Sequence, residues 1–318
     1  MKNLIFIIGV FISFCSNAQD IHFSQIYHSK SFINPASIGN HSEKYKFSFH
    51  SRSQWSSVST PFRSNYFSIN IKNFLKDNNF SFDIINDLSG DSNFKTIGFG
   101  SGISRVMLSD KKNSLLLGLR LYIKERSFNS DNLVLLDFES FLNYSTVYAD
   151  LSCGMLYNRF ITSTSSLSLS GSIDHINRPN ISFFESQKIK SSFRKTISLS
   201  YNHSPNTRLE FIPSFFFSQI LSTHEILYGI NSIYNFESND NSITKINTGF
   251  FIRDKDAFII ILGADFNQYS CNISYDINTS SLAVASNNYG AFEISFHYKI
   301  NSRKKTLNKN KQVCPRCI

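Results

Sequence analysis

The spacing most suggestive of chemistry lies near the C-terminus, in Cys314-Pro315-Arg316-Cys317. A Cys-x-x-Cys pair can close a disulfide, exchange electrons or supply half of a zinc site. No second pair and no His-x₃₋₅-His accompanies it, so a zinc site is not expected. Cys314 and Cys317 are read as a candidate disulfide or as inert thiols. A hydrolase needs a nucleophile held beside a base. Gly98-Phe99-Gly100-Ser101-Gly102 has no Gly-x-Ser-x-Gly frame, and it fails as Gly-x-Gly-x-x-Gly because position 103 is Ile. His224-Glu225 lacks the second histidine of a zinc-protease motif, and the eight histidines are scattered. There is no P-loop and no nucleic-acid motif. The chain is therefore read as non-enzymatic, with no catalytic residue, no cofactor, no metal and no nucleic-acid partner.

What recurs instead is a period of two. In residues 292–300 every even position is apolar (Phe292, Ile294, Phe296, Tyr298, Ile300) and every odd one is polar (Glu293, Ser295, His297, Lys299). Successive side chains of a strand point to opposite faces, and nine residues suffice for a tilted strand to cross a bilayer. The same pattern sets Leu115, Leu117, Leu119, Leu121 and Ile123 against Gly118, Arg120 and Tyr122. It sets Leu167, Leu169 and Ile173 against Ser166, Ser168, Ser170 and Ser172. It sets Ile246, Phe250 and Ile252 against Lys245, Asn247 and Arg253. Charges such as Arg120, Lys245, Glu293 and Lys299 suit a watery lumen and would be costly in a dry core. On this register a charge replacing Leu119 is expected to impair assembly, and a change at Gly118 to matter less.

The fold expected is all-β, a transmembrane outer-membrane β-barrel of about 14 antiparallel strands. The strands are placed at 44–52, 63–73, 80–86, 94–108, 114–126, 144–157, 165–173, 194–203, 207–217, 226–236, 243–252, 257–266, 269–277 and 289–300. An even strand number puts both termini in the periplasm, and the loops expected outside include the long 127–143, 174–193 and 218–225. The inside turns include 109–113 and 158–164. Tyr66, Phe67, Tyr122, Tyr148, Tyr157, Tyr201, Tyr228, Tyr234 and Tyr298 fall near strand ends, as interface belts or through ordinary β-propensity. Cys153 and Cys271 sit on the apolar register and read as small hydrophobes.

Residues 1–18 have the layout of a secretory signal peptide, with an apolar run from Leu4 to Cys15 and small residues before Gln19. Phe14 ahead of Cys15 argues against a lipoprotein cysteine. The remaining organisation is an N-terminal periplasmic or plug segment (19–43), the barrel (44–300) and a basic tail (301–318). The formal charge of +9 is concentrated in that tail. Arg303, Lys304, Lys305, Lys309, Lys311 and Arg316 stand there with no acid, and without them and Lys2 the mature chain is near neutral. The tail is a solvated end or a docking site for an acidic partner.

The order of short motifs resembles the PorP/SprF family of type IX secretion system membrane proteins, found in Bacteroidota. Asp20-Ile21-His22-Phe23-Ser24-Gln25-Ile26-Tyr27 comes first, then Asn34-Pro35-Ala36, Gly39-Asn40 and Arg52-Ser53-Gln54-Trp55. Asn86-Asp87 with Gly90 and Asp174-His175-Ile176-Asn177-Arg178-Pro179-Asn180 follow. Asp256-Ala257-Phe258, Ser274-Tyr275-Asp276, Glu293-Ile294-Ser295 and Cys314-Pro315 complete the series. The ending departs from the family's aromatic close, having Arg316-Cys317-Ile318. The resemblance implies an outer-membrane barrel that supports type IX secretion or the surface display of gliding adhesins. It implies contact with an OmpA-like, peptidoglycan-binding periplasmic subunit and with cargo carrying a C-terminal sorting domain. Asn34, Pro35, Gln54, Trp55, Pro179, Arg303, Lys304 and Lys305 are the residues proposed for partner contact. A passive or solute-specific outer-membrane channel is the alternative.

Overall fold

Alternation of apolar and polar residues becomes a wall with two faces. A computed structural model describes residues 20–56, 60–89, 94–128, 144–184, 186–236, 243–280 and 289–301. Fourteen strands run through them: β1 (Tyr45–Gln54), β2 (Phe62–Leu75), β3 (Asn78–Ser89), β4 (Phe94–Ser109), β5 (Asn113–Phe128), β6 (Tyr144–Thr162) and β7 (Ser165–Asp174). Then come β8 (Arg194–His203), β9 (Leu209–Ile220), β10 (Thr223–Asn235), β11 (Ile243–Arg253), β12 (Ala257–Phe266), β13 (Tyr269–Asn278) and β14 (Tyr289–Ile300). Each strand pairs antiparallel with its sequence neighbours, and β1 pairs with β14, so the sheet is a closed barrel. Closure removes the edges that could not be satisfied in lipid.

The outward face is apolar. Leu119, Phe99, Ile197, Leu262, Phe250 and Phe292 all stand exposed on it, as a lipid-facing band requires. The inward face carries Arg120, Asp150, Arg253, Asp276 and Glu293, all buried. The expected registers of 115–123, 167–173 and 292–300 are the ones seen.

Three expectations are corrected. The outside loop placed at 218–225 is a turn between Ile220 and Thr223, and the inside loop at 158–164 lies only between Thr162 and Ser165. Polar residues suggested loops there, but in a barrel a polar residue can face the lumen or the rim without ending the strand. Tyr66 and Tyr122 are not at an interface: both are buried in the lumen, packed with Phe23 and Ile85. The lumen is also not watery at Glu293, which is fully buried, or at Arg120, which is nearly so, whereas Lys245 is exposed and Lys299 partly so.

Residues 20–43 occupy that space. They run as a strap from the far rim, where Asp20 meets His175 just beyond β7, to the near rim, where the Lys44 amide bonds Ile300 O at 3.1 Å. The strap contains one helical turn, Lys30–Ile33, and a short 3-10 turn, Pro35–Ser37. Three apolar clusters seat it: Phe23 with Tyr66 and Tyr122, Ile26 with Phe216 and Phe251, and Ala36 with Leu116 and Leu156. Full burial of a side chain such as Phe23 or Ile26 is worth about 1.5–3 kcal/mol.

Candidate functional site

Four layers of contact hold the strap, and each is built from lumen-facing positions of the strands. At the far rim His175 lies between two carboxylates. Its Nδ1 is 2.9 Å from both Asp150 oxygens and its Nε2 is 2.9 Å from Asp20. Lys124 joins the knot at 2.5 Å from Asp150. Burial alone would lower the imidazole, but the hydrogen bonds and charges of Asp150 and Asp20 outweigh it and raise His175 to about 9. Burial likewise pushes the Asp20 carboxyl up, and bonding to His175 overcomes this and holds it well below the carboxylate range. Arg194, beside the knot, donates to Ile21 O at 3.1 Å and Ser218 Oγ at 3.2 Å.

The second layer is a buried charge latch. Glu293 accepts from two consecutive strap amides, Ser24 at 2.7 Å and Gln25 at 3.2 Å. Ser24 Oγ donates to Asp276 at 2.7 Å and accepts from Arg253 at 2.7 Å and from Arg52. Arg52 and Arg253 each pair with Asp276, at 2.9 and 3.0 Å, and Arg253 also reaches Glu225 at 2.9 Å. The Gln25 amide bonds Ser274 and Glu293 O and accepts from Ser295. These wall residues lie on β1, β10, β11, β13 and β14, so the latch spans the β1–β14 seam. Ionised groups this deep are tolerable only when paired and hydrogen-bonded. Ser24 supplies the hydroxyl that joins two cations to one anion.

A histidine layer follows. His28 of the strap stacks on His297 at 5.7 Å, and His297 meets His50 edge-on at 5.2 Å. Below it, Arg120 donates to the carbonyls of Phe32 (2.9 Å) and Ser31 while facing Asp83 at 3.4 Å.

The fourth layer is Asn34-Pro35-Ala36. The Asn34 amide donates to Met155 O at 3.0 Å and Gly171 O at 3.1 Å, and its Oδ1 accepts from Ala36 N at 2.8 Å. Proline fits at the start of the following turn, where no donor is needed. The strap touches the wall backbone here, and Gly118 and Gly154, opposite each other on β5 and β6, make room. A Cβ on Gly118 would lie 2.3 Å from Ala36 N, and one on Gly154 2.0 Å from Asn34 Oδ1. Gly118 is therefore a constrained position rather than an open lumen site. It does face the lumen, but that face is packed against the strap.

The residues named for partner contact sit at different levels. Asn34 and Pro35 are deep in the lumen. Gln54 and Trp55 are at the far rim, where Trp55 has φ 58°, bonds Gly290 O through its amide at 2.9 Å and packs on Phe62. Pro179 shapes the loop after β7, its carbonyl accepting from Ser191 at 2.9 Å. Arg303, Lys304, Lys305, Cys314, Cys317 and residues 1–18 lie outside the described residues. No cluster of metal-ligating side chains suited to a metal occurs among the described residues. Reading residues one at a time missed Ser24, Gln25, Arg253, Asp276 and Glu293 as one site. Their signal was present, because all but Arg253 belong to the ordered motifs.

The sequence model described as type IX secretion system membrane protein PorP/SprF matches residues 15–298. No curated protein matches. Among solved structures, the toluene transporter TbuX of Ralstonia pickettii is similar with TM-score 0.54 and 8% identity, over 86% of this chain and 94% of that one. The toluene transporter TodX of Pseudomonas putida gives 0.54 and 9%, over 86% and 93%. At these identities the likeness is one of fold, a shared outer-membrane barrel.

Proposed function

The chain belongs to the type IX secretion system membrane protein PorP/SprF family, and from that we propose that it supports the export or surface attachment of cargo proteins without being an enzyme. The observation that carries this reading is the strapped lumen. Motifs shared in order with the family, Phe23-Ser24-Gln25, Asn34-Pro35-Ala36, Arg52, Asp276 and Glu293, spend themselves on closing the barrel rather than opening it. A barrel built to stay shut suits a platform for partners better than a free pore.

In this reading residues 1–18 are a signal peptide removed in export, and the near rim faces the periplasm. Lys44, Lys72, Lys76, Lys111 and Lys112 lie in or beside the strand ends at that rim, together with Glu43, Asp77 and Asp110, and the sequence after β14 brings Arg303, Lys304 and Lys305. In this reading the basic side chains would meet an OmpA-like, peptidoglycan-binding subunit with an acidic face. The far rim, with Gln54, Trp55 and the loop around Pro179, would meet cargo bearing a C-terminal sorting domain, gliding adhesins among them. The test is a crosslinked pull-down of the native protein from outer membranes, with companions identified by mass. Recovery of a peptidoglycan-binding secretion subunit or an exported adhesin is expected, and a protein recovered alone would overturn the reading.

A solute channel is the second reading. It is supported by the cavities of about 410 and 330 Å³ that open above the strap.

A further inference from the structure

Those two cavities share Asp20, Arg194 and Ile220 in their walls, so they are lobes of one vestibule at the far rim. A third cavity, a crevice of about 40 Å³, lies deeper between the strap and the same side of the wall. It is lined by small hydroxyls on β7, β8 and β9: Ser168, Ser170, Ser198, Ser200 and Ser214. The lumen-facing positions descend in step. On β8 they are Arg194, Thr196 and Ser198, and on β9 they are Ser218, Phe216 and Ser214. Arg194 and Ser218 line the vestibule, and Ser198 and Ser214 line the crevice. In the ladder Thr196 lies opposite Ser218 and Phe216 opposite Ser198, so the step from Ser218 at the vestibule to Phe216, which lines the crevice, is about 7 Å at roughly 3.3 Å per strand residue.

The layer at that step is apolar on its strap side. Ile26 and Phe216 are buried in one cluster, and Ile33 packs against it. Neither of the cations flanking the layer closes an ion pair among the described residues, although Asp20 and Glu225 act on Arg194 and Glu210 acts on Lys30 from farther off. Arg194 is 8% exposed and bonded only to Ile21 O and Ser218 Oγ, with Asp174 opposite on β7 forming no ion pair. Lys30 faces the crevice with its ammonium 4.2 Å from the Tyr27 ring. Most of the vestibule's acids are already engaged: Asp20 and Asp150 by His175, Glu225 and Asp256 by Arg253. Hydrophobic constrictions close pores by dewetting, and unneutralised Arg or Lys select anions.

We propose that the lumen holds a closed anion pathway along β7–β9, gated where Ile26 and Ile33 of the strap pack on Phe216. Moving the strap by one side chain joins vestibule to crevice. The pathway needs no secretion partner, so its failure would leave the secretion reading standing.

The test is current through the purified full-length protein in planar bilayers under a potassium chloride gradient. Wild type should carry no steady current. Phe216→Ala should conduct, with a reversal potential on the chloride side. In that background Arg194→Gln and Lys30→Gln should each shift the reversal potential toward potassium, and Ser198→Trp should abolish the current by filling the crevice. Ile26→Ala opens the same layer from the strap side and serves if Phe216→Ala does not fold, as judged by heat-modifiable migration. A folded opening variant that stays silent, a potassium preference, or a steady wild-type current would each overturn the proposal.

Discussion

Gly118 shows how a residue can look unimportant by pattern and be constrained by what lies across the lumen. With Ala36 N 2.3 Å from where its Cβ would be, Gly118→Val must push the Asn34–Ala36 turn off the wall. A loss of about 1–3 kcal/mol is expected, the usual range for overpacking. The strap should become open to protease while the barrel still migrates as folded, and a strap as resistant as in wild type would count against the contact. His175 allows a pH prediction. Its folded value of about 9 lies above the ordinary histidine value, so the knot's contribution is complete below about 6.5 and is lost as pH rises through 9. Asp20 is lowered, so its share is present above the ordinary carboxylate range and fades as pH falls below it. A spin label on His22→Cys should therefore be immobile between about pH 5 and 8 and loosen above 9. His175→Phe should give a mobile label at every pH. A label whose mobility ignores pH would show that the knot does not hold the strap.

The strands themselves were legible from residue order. All fourteen expected positions carry a strand, because lipid on one face and a polar lumen on the other force a strict period of two. Leu119, 60% exposed on the lipid face, should therefore not accept a charge: Leu119→Arg is expected to cost ~2–4 kcal/mol at mid-membrane depth, measured as a shift in the urea midpoint of reversible refolding into vesicles. A neutral result would mean that Leu119 does not meet lipid. Legibility failed at the ends. Ser218, Thr223 and Glu225 read as a loop because their polarity carries no sign of whether water or the lumen receives it. The same ambiguity misplaced Tyr66 and Tyr122, whose rings look alike at an interface and inside a packed lumen. The strap was harder still. A segment without periodicity shows its role only through partners some 250 residues away, such as Glu293 and Asp276 for Ser24. Local sequence holds half of each such contact.

At the scale of the molecule, the strap and the seam are one problem. Joining β1 to β14 brings together the two ends of the barrel, the contact with the greatest loop-closure cost and the slowest kind to form. The strap precedes β1 directly, yet Ser24 and Gln25 bond to Asp276, Glu293, Ser274 and Ser295 on β13 and β14. Arg52 of β1 meets the same groups. A strap already lying along β14 would hold β1 near its partner before the ladder forms. Replacing both Ser24 and Gln25 by Ala removes one hydrogen bond each from Asp276, Ser274 and Ser295, at about 0.5–1.5 kcal/mol for each bond lost, since Asp276 keeps both arginines and Ser295 keeps Asn272. If the strap aligns the seam, much of that loss falls on the folding rate, as for contacts already made in the transition state. The time to heat-resistant migration should then lengthen in the double variant, while formation of the β4–β5 hairpin, reported by a fluorescence pair across its turn, should keep its wild-type rate. A variant that folds at the normal rate and only unfolds faster would place the latch after closure, as a lock on a finished barrel rather than a guide to its assembly.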